Sequence, residues 1–265
     1  MSLIIKSFQK CKEKSRPALL TYTVAGDNNF KTSLKILNNI SKYADICELG
    51  FPHNTPIADG GQIQTSSYRA LKNGIKIKDV FKIVKIFKKK NKSKPIILMG
   101  YYNMILQLGE NIFLKKCKQA KVDGIIVVDL PYPENKSFAN KCRKLSICFT
   151  QLISPTTSLS RMKKIIKDSH EMIYYISMLS TTGGKLKVKP KQILNNYKKI
   201  KKLNKSKYCV IGFGITNENI SRLKSTDGLV VGSALCKKIT ESINNGQNPV
   251  TNVSNMVRKL KNKII

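Results

Sequence analysis

The sequence predicts an α/β fold, because eight short apolar runs alternate with segments of helical periodicity along its 265 residues. The runs are almost continuously apolar, as is typical of parallel strands that are covered on both faces. Eight strand–helix repeats in a chain of this length indicate a (β/α)8 TIM barrel, folded as a single domain over residues 1–265. A doubly wound open sheet is the alternative, but no Gly-x-Gly-x-x-Gly motif typical of such sheets follows the first run.

Each predicted strand is a short run of mostly apolar, β-prone residues. The runs are ALLTYTVAG (18–26), ICELG (46–50), PIILMG (95–100), GIIVVDLP (124–131), CFTQLIS (148–154), MIYYIS (172–177), YCVIGFG (208–214) and GLVVGSA (228–234).

The segments between the runs carry apolar residues at helical spacing. Examples are Val80, Val84 and Phe87, then Phe138, Cys142 and Leu145, and then Ile193, Tyr197 and Ile200. The segment before residue 17 predicts an extra N-terminal helix that would close the bottom of the barrel. Its apolar side consists of Ile4, Ile5, Phe8 and Cys11.

The chain carries 49 Lys plus Arg against 15 Asp plus Glu, for a formal net charge of +34 at pH 7. Only six of the basic residues are Arg, and Lys is spread over nearly every predicted helix. Proteins that read bases or clamp phosphates favour Arg, whose planar guanidinium binds two acceptors at once. The distribution therefore favours a general enrichment in Lys on exposed faces over a specific nucleic-acid site, with weak, salt-sensitive binding to polyanions as a consequence.

The remaining composition indicates a cytoplasmic protein. No apolar run reaches the length of a membrane span, and the N-terminus lacks the apolar region and cleavage site of a signal peptide. The seven Cys are scattered without a Cys-x-x-Cys pair. They are expected to be reduced thiols packed as small apolar residues.

Two acidic residues lie where a TIM barrel places its chemistry, at the carboxyl end of a strand and in the loop that follows it. Glu48 is inside the apolar run ICELG, and Asp59 is in the next loop, within PIADGG. A carboxylate in an apolar strand is costly to bury unless it has a partner or a task. Glu48 could instead be a solvated strand end, and Asp59 a simple Asp-Gly turn residue. Two carboxylates facing one barrel mouth favour general acid–base chemistry.

Glycines follow the last three predicted strands, in TTGGK (181–185), GFG (212–214) and VGSA (231–234). Glycines there let backbone N–H groups approach an anion closely, and a helix that begins at Ser233 would add its positive end. Because TIM barrels often bind phosphate after strands seven and eight, the three clusters together predict a phosphate site.

With these residues the sequence resembles the tryptophan synthase alpha subunit family, over nearly the whole chain. The element ELGFPHNTPIADGGQIQ (48–64) is specific to that family, whereas the phosphate glycines occur in other barrels. The resemblance also rests on MGYYN (99–103), VDLP (128–131), YYIS (174–177), STTGG (180–184), GFGIT (212–216) and VGSAL (231–235). It implies a carbon–carbon lyase that cleaves indole-3-glycerol phosphate to indole and glyceraldehyde 3-phosphate by a retro-aldol reaction.

The resemblance also implies roles for individual residues. Glu48 would transfer the protons, and Asp59 would bind the indole N–H and stabilise the cationic intermediate. Tyr174 would line the site near Glu48, and Thr182 would lie on a loop that closes over the site. The predicted walls for the indole ring are Tyr22, Ile63, Leu98 and Tyr101, and the predicted phosphate-binding residues are Gly183, Gly214, Gly232 and Ser233.

No metal and no cofactor is expected in this chain, because the indole ring itself accepts the electrons. The family's alpha subunit works in an alpha2-beta2 complex with a pyridoxal-phosphate beta subunit, so a beta subunit is the expected partner, and neither a specific nucleic acid nor a membrane is. Two positions depart from the family's pattern. Thr55 replaces an Asp that helps to contact the beta subunit, and Gly61 stands where Pro is common.

Two other functions are compatible with a phosphate-binding barrel. A sugar-phosphate isomerase or epimerase would use different acid–base residues and would not need Asp59. A non-catalytic binding protein that uses its charge would need neither Asp59 nor Glu48. The presence of both carboxylates favours the lyase.

Overall fold

The computed structural model describes residues 1–177 and 189–265. Two of the predicted site residues, Thr182 and Gly183, lie outside the described residues.

The described residues form one sheet of nine parallel strands in the order β5-β4-β3-β2-β1-β9-β8-β7-β6. The strands are β1 Ala18–Val24, β2 Ile46–Gly50, β3 Ile96–Gly100, β4 Gly124–Val127, β5 Cys148–Phe149, β6 Gln151–Ile153, β7 Met172–Ile176, β8 Tyr208–Gly212 and β9 Gly228–Val231. The predicted (β/α)8 TIM barrel is confirmed, and the predicted extra N-terminal helix is present.

The fifth predicted strand differs from the expectation, because it is divided at Thr150. Its first part, β5, pairs with β4, and its second part, β6, pairs with β7. The segment Cys148–Ile153 therefore hydrogen-bonds to β4 through its first part and to β7 through its second part, and it closes the sheet into a barrel.

The helices that surround the sheet bury the apolar residues that predicted them. Val80, Val84 and Phe87 are buried on α4, and Ile193, Tyr197 and Ile200 are buried on α9. The helices are α1 Leu3–Glu13, α2 Phe30–Ile40, α3 Gly61–Lys72, α4 Ile77–Lys90, α5 Tyr102–Leu108, α6 Glu110–Ala120, α7 Lys136–Lys144, α8 Leu159–Asp168, α9 Pro190–Leu203, α10 Ser233–Asn244 and α11 Pro249–Asn262, with a short 3-10 helix at Ile220–Leu223. Within the described ranges, each helix is too short or too polar to cross a membrane.

Helix α1 covers the end of the barrel where the strands begin. The Phe8 ring stacks on Tyr208, the first residue of β8, with 4.4 Å between ring centroids. Ile4 and Phe8 both pack into the core cluster inside the barrel, whereas Ile5 stays partly exposed. The chemistry is therefore left to the opposite end, where the strands finish.

Three aspartates join the strands at that closed end. Each immediately precedes a strand, accepts the backbone N–H of a residue in the neighbouring strand, and accepts a lysine ammonium from a helix at 2.6–2.8 Å. The groups are Asp45 with Leu19 and Lys261, Asp123 with Ile96 and Lys88, and Asp227 with Cys209 and Lys201. The few carboxylates of this chain thus help to set the positions of adjacent strands.

Side chains alternate between the two faces of the barrel wall. Residues that point inward form one core cluster, which includes Leu20, Tyr22, Ile97 and Met99. Residues that point outward pack against the helices. The alternation decides which strand residues can reach a substrate.

Candidate active site

Glu48 is the third residue of β2 and points into the barrel, because it pairs with the inward residues Tyr22 on β1 and Ile97 on β3. Its side chain is 0% exposed, and neither carboxylate oxygen has a hydrogen-bond partner among the described residues. Burial raises the pKa of Glu48 to about 8. A protonated carboxyl group at neutral pH can both donate and accept a proton during a reaction cycle.

Asp59 lies in the loop between β2 and α3. The Tyr101 hydroxyl donates to Asp59 Oδ2 at 3.0 Å and accepts the Ala58 N–H at 3.0 Å. Asp59 Oδ1 is buried and has no partner among the described residues. Burial raises the pKa of Asp59 to about 6, and the hydrogen bond from Tyr101 opposes that rise. Asp59 is therefore predominantly ionised at neutral pH, with one oxygen available to a donor.

Tyr22 and Tyr174 each lie near enough to both carboxyl groups to be affected by their charges. Burial raises the pKa of both phenols, and the charges of Glu48 and Asp59 add to the rise at each of them. The Tyr22 hydroxyl lies over Gly50 and the Tyr174 hydroxyl over Gly212, so closely that a β-carbon at either glycine would overlap the phenol oxygen. These glycines give the two phenols their place beside Glu48.

Three of the four predicted walls lie on this side of the barrel. Tyr22 and Ile63 belong to the inner cluster, and Tyr101 follows β3 and bonds to Asp59. The prediction for Leu98 is wrong: Leu98 pairs with Leu49 and packs outward against the helices.

Met99, the next residue of β3, belongs to the inner cluster. The sequence held a signal for this. Met99 is two residues from Tyr101 and Leu98 is three, and strand alternation places only the former on the same side as Tyr101. Phe213 also packs against the inner cluster and meets Tyr174 edge-on at 6.3 Å between centroids, although no local signal distinguished it from a turn residue.

Three of the four predicted phosphate-binding residues, Gly214, Gly232 and Ser233, lie at the ends of two neighbouring strands. Gly214 follows β8 with φ of +71°, directly after Phe213 with φ of +66°. Gly232 follows β9 and precedes α10, which begins at Ser233. The first N–H groups of an α-helix have no carbonyl partner within it, so they point from Ser233 and the next residue toward the barrel mouth.

Backbone conformation at Phe213 is held by Ser177 at the end of β7. The Ser177 hydroxyl lies 2.9 Å from the Gly212 oxygen and 2.6 Å from the Phe213 oxygen. A positive φ is uncommon for a residue with a side chain. The contact links the ends of β7 and β8 beside the predicted phosphate site.

The loop that carries Asp59 also carries both departures from the family's pattern. Asn54 and Thr55 are exposed, and the His53 ring stacks on Tyr101 at 4.8 Å between centroids. Gly61 is the first residue of α3, and a β-carbon there would meet no atom within 4 Å. Among the described residues, neither Thr55 nor Gly61 hydrogen-bonds to the carboxyl group of Glu48 or Asp59.

The other histidine, His170, lies in the loop before β7, at the end of the barrel where the strands begin. Its Nδ1 accepts the Phe149 N–H at 3.0 Å, and burial lowers its pKa to about 4. Across residues 1–177 and 189–265, no three His, Cys, Asp or Glu side chains are grouped so as to hold a metal ion.

The chain matches the family model described as tryptophan synthase alpha chain over residues 8–265. It is 72% identical over 264 residues to the tryptophan synthase alpha chain of Pelagibacter ubique, with 100% of each chain covered. The tryptophan synthase subunit alpha of Legionella pneumophila has the same fold, with a TM-score of 0.92 at 32% identity, over 100% of this chain and 98% of that one.

A further similar structure is that of the tryptophan synthase a2b2 complex of Pyrococcus furiosus, which was solved to explain the mutual activation of that complex. It matches with a TM-score of 0.82 at 38% identity, over 92% of this chain and 97% of that one. The fold, the extent of the match and the identity agree with each other. The chain therefore belongs to the tryptophan synthase alpha chain family, and it is a lyase that cleaves indole-3-glycerol phosphate in tryptophan biosynthesis.

Proposed function

We propose that Glu48 and Asp59 are the catalytic residues of this lyase. The observation that carries the proposal is that three of the four oxygens of these carboxyl groups lack a described partner. Both groups have a raised pKa, and both lie near the phenols of Tyr22 and Tyr174. Burying unpartnered polar oxygens is unfavourable, so a structural role does not account for them.

In the proposed reaction a proton from Glu48 adds to indole carbon 3 and gives an indoleninium cation. The glyceryl 3′-hydroxyl then loses its proton to Glu48 as the bond between indole carbon 3 and the glyceryl carbon breaks. The electron pair of that bond restores the aromatic ring, and the glyceryl carbon becomes the aldehyde of glyceraldehyde 3-phosphate. Protons balance, because Glu48 regains the proton that it gave, and a single carboxyl group is enough.

Asp59 is proposed to accept the indole N–H with the oxygen that Tyr101 does not occupy. The positive charge of the indoleninium is shared by that nitrogen, so an ionised carboxylate there stabilises the cation more than it stabilises the neutral substrate. Tyr101, Tyr22, Ile63 and Met99 would surround the ring, and Tyr174 would lie beside Glu48. Thr182 is proposed to lie on the closing loop.

The substrate's phosphate is proposed to bind the backbone around Gly183, Gly214, Gly232 and Ser233. Support comes from the glycines after β8 and β9 and from the positive end of α10, which begins at Ser233 directly after β9 and Gly232. A bound sulfate or phosphate at this place in a crystal structure is the direct check, and an anion bound elsewhere would contradict it.

The proposed partner is a tryptophan synthase beta subunit, in an alpha2-beta2 complex like the one from Pyrococcus furiosus. The proposed contact face is the barrel mouth, including His53, Asn54, Thr55 and Pro56. Pyridoxal phosphate would belong to the beta subunit, and this chain would use no cofactor.

We also propose a cytoplasmic location, which suits seven buried free cysteines, and a single domain over residues 1–265, which suits one continuous sheet.

Release of indole from indole-3-glycerol phosphate, with and without the cognate beta subunit, tests the proposal. The expected result is slow or absent release by the isolated chain and faster release by the complex. If the Glu48→Gln and Asp59→Asn variants of the complex released indole as fast as the unchanged protein, the assignment of the two residues would be refuted.

A further inference from the structure

Tyr22 spans the space between the two ends of the proposed substrate site. A β-carbon at Gly232 would lie 3.2 Å from Cβ of Tyr22, so the start of the side chain packs against the proposed phosphate-binding backbone. The hydroxyl at its other end lies over Gly50, the last residue of β2. The phenol thus crosses from the phosphate end to the strand that carries Glu48.

The hydroxyl of Tyr22 is a donor without a described acceptor. Within residues 1–177 and 189–265 it makes no hydrogen bond, and the residue as a whole is 6% exposed. Burial and the nearby Asp59 raise the pKa of this phenol, so it keeps its proton at neutral pH. Glu48 is directly opposite on β2, yet its oxygens do not accept from Tyr22.

The order of the proposed subsites shows what faces this donor. The phosphate would lie by Gly232 and the indole N–H by Asp59, so the glyceryl carbons must lie between them, above Glu48. That is the stretch that Tyr22 crosses. A flat apolar wall would not need a hydroxyl group there, whereas Tyr22 places one over Gly50, on the strand that carries Glu48.

Resting on the proposed function, we propose that the Tyr22 hydroxyl donates a hydrogen bond to a glyceryl hydroxyl oxygen of the substrate. Tyr22 is then a specificity-determining residue, because it favours the glyceryl chain over a chain that lacks hydroxyls. A site built to bond a hydroxyl group leaves its own polar group unpaired when that hydroxyl is missing.

The Tyr22→Phe variant tests this, because it removes one oxygen and keeps the ring. The complex with the cognate beta subunit would be assayed for indole release, and inhibition by indole-3-propanol phosphate, which lacks both glyceryl hydroxyls, would be measured in parallel. We expect kcat/KM for indole-3-glycerol phosphate to fall about tenfold while the inhibition constant of the propanol phosphate stays within about twofold of its original value. The pH profile of kcat should not move.

Tyr208→Phe is the matched control, because Tyr208 lies at the closed end against Phe8, and it should change neither constant. Equal weakening of both ligands would show that Tyr22 is only a wall, and a shifted pH profile would show that it acts on Glu48. Unchanged kinetics would also overturn the proposal. Failure of the unchanged protein to cleave the substrate or to bind the propanol phosphate would instead contradict the proposed function.

Discussion

Glu48 is buried and Asp59 is half-buried, and their surroundings differ. Glu48 has no described partner and a pKa of about 8, whereas Asp59 accepts from Tyr101 and has a pKa of about 6. Near neutral pH one is therefore mostly protonated and the other mostly ionised. Pairs of carboxyl groups whose environments separate their pKa values in this way can divide the roles of acid and electrostatic stabiliser between them.

The Glu48→Gln variant should lose indole formation by about 10²–10⁴-fold, because a positioned acid–base group is worth that much. The amide has nearly the same shape but cannot exchange a proton with carbon 3 or with the hydroxyl. Its far-ultraviolet circular dichroism and thermal midpoint should match those of the unchanged protein, since Glu48 makes no hydrogen bond with the described residues. Unchanged turnover in a folded variant would remove Glu48 from the mechanism. Glu218→Gln, on the exposed surface, is the control.

Asp59 should determine the acidic limb of the pH–rate profile. The Tyr101 hydrogen bond lowers the pKa of Asp59, so Tyr101→Phe should let that pKa rise. Because the ionised form is the useful one, the limb of kcat/KM should move to higher pH in Tyr101→Phe, and activity should fall most at the acidic end. Asp59→Asn should be severely impaired at every pH. A limb that stays in place, or near-normal activity of Asp59→Asn, would make Asp59 a turn residue.

At the scale of elements, the strand starts are joined by partly buried ion pairs as well as by apolar contact. Asp123, just before β4, accepts the Ile96 N–H of β3 and the Lys88 ammonium of α4, each at 2.8 Å. The Lys88 side chain is only 4% exposed. Removing one member of such a pair leaves a charge with little water around it, and this is more harmful than replacing both.

We therefore expect Asp123→Asn to lower the free energy of unfolding by about 3 kcal/mol. The urea midpoint, with its slope unchanged, is the measurement. Asp168→Asn is a suitable comparison, because Asp168 pairs with Lys136 at 3.7 Å on the surface, where a pair contributes about 0–1 kcal/mol. Equal shifts in the two variants would show that the strand-start pair has no special weight.

At the scale of the whole molecule, the charge of +34 lies on the outside of a conventionally packed barrel. On α4, for example, Lys82, Lys85, Lys89 and Lys90 are exposed, while Val80, Val84 and Phe87 of the same helix are buried. On this helix most lysines therefore lie on the face turned away from the apolar core, and Lys88, paired with Asp123, is the buried one. The positive electrostatic field of such a surface raises the rate of association with an acidic partner, and dissolved salt screens that field.

Association with the cognate beta subunit should consequently weaken as salt rises. Titrating that subunit at low and high salt, with sedimentation and indole release followed together, measures the effect. Thr55 in place of the usual Asp should matter little, because an exposed pair contributes only about 0–1 kcal/mol. If the beta subunit changes neither the rate nor the sedimentation of this chain, the partnership is refuted, and salt-independent binding would refute the role of charge.

The sequence by itself determined the barrel, the strand that carries Glu48 and the loop that carries Asp59. These depend on local patterns: apolar runs, helical spacing, and carboxylates in an otherwise apolar setting. Tertiary structure alone decided the division of the fifth strand at Thr150, the outward side of Leu98 and the bond from Tyr101 to Asp59. Each of these depends on which residues of distant segments face one another. The pairing and register of the strands decide which residues face one another, and both are established only when the sheet forms. Shifting a strand by one residue would turn each of its side chains to the other face.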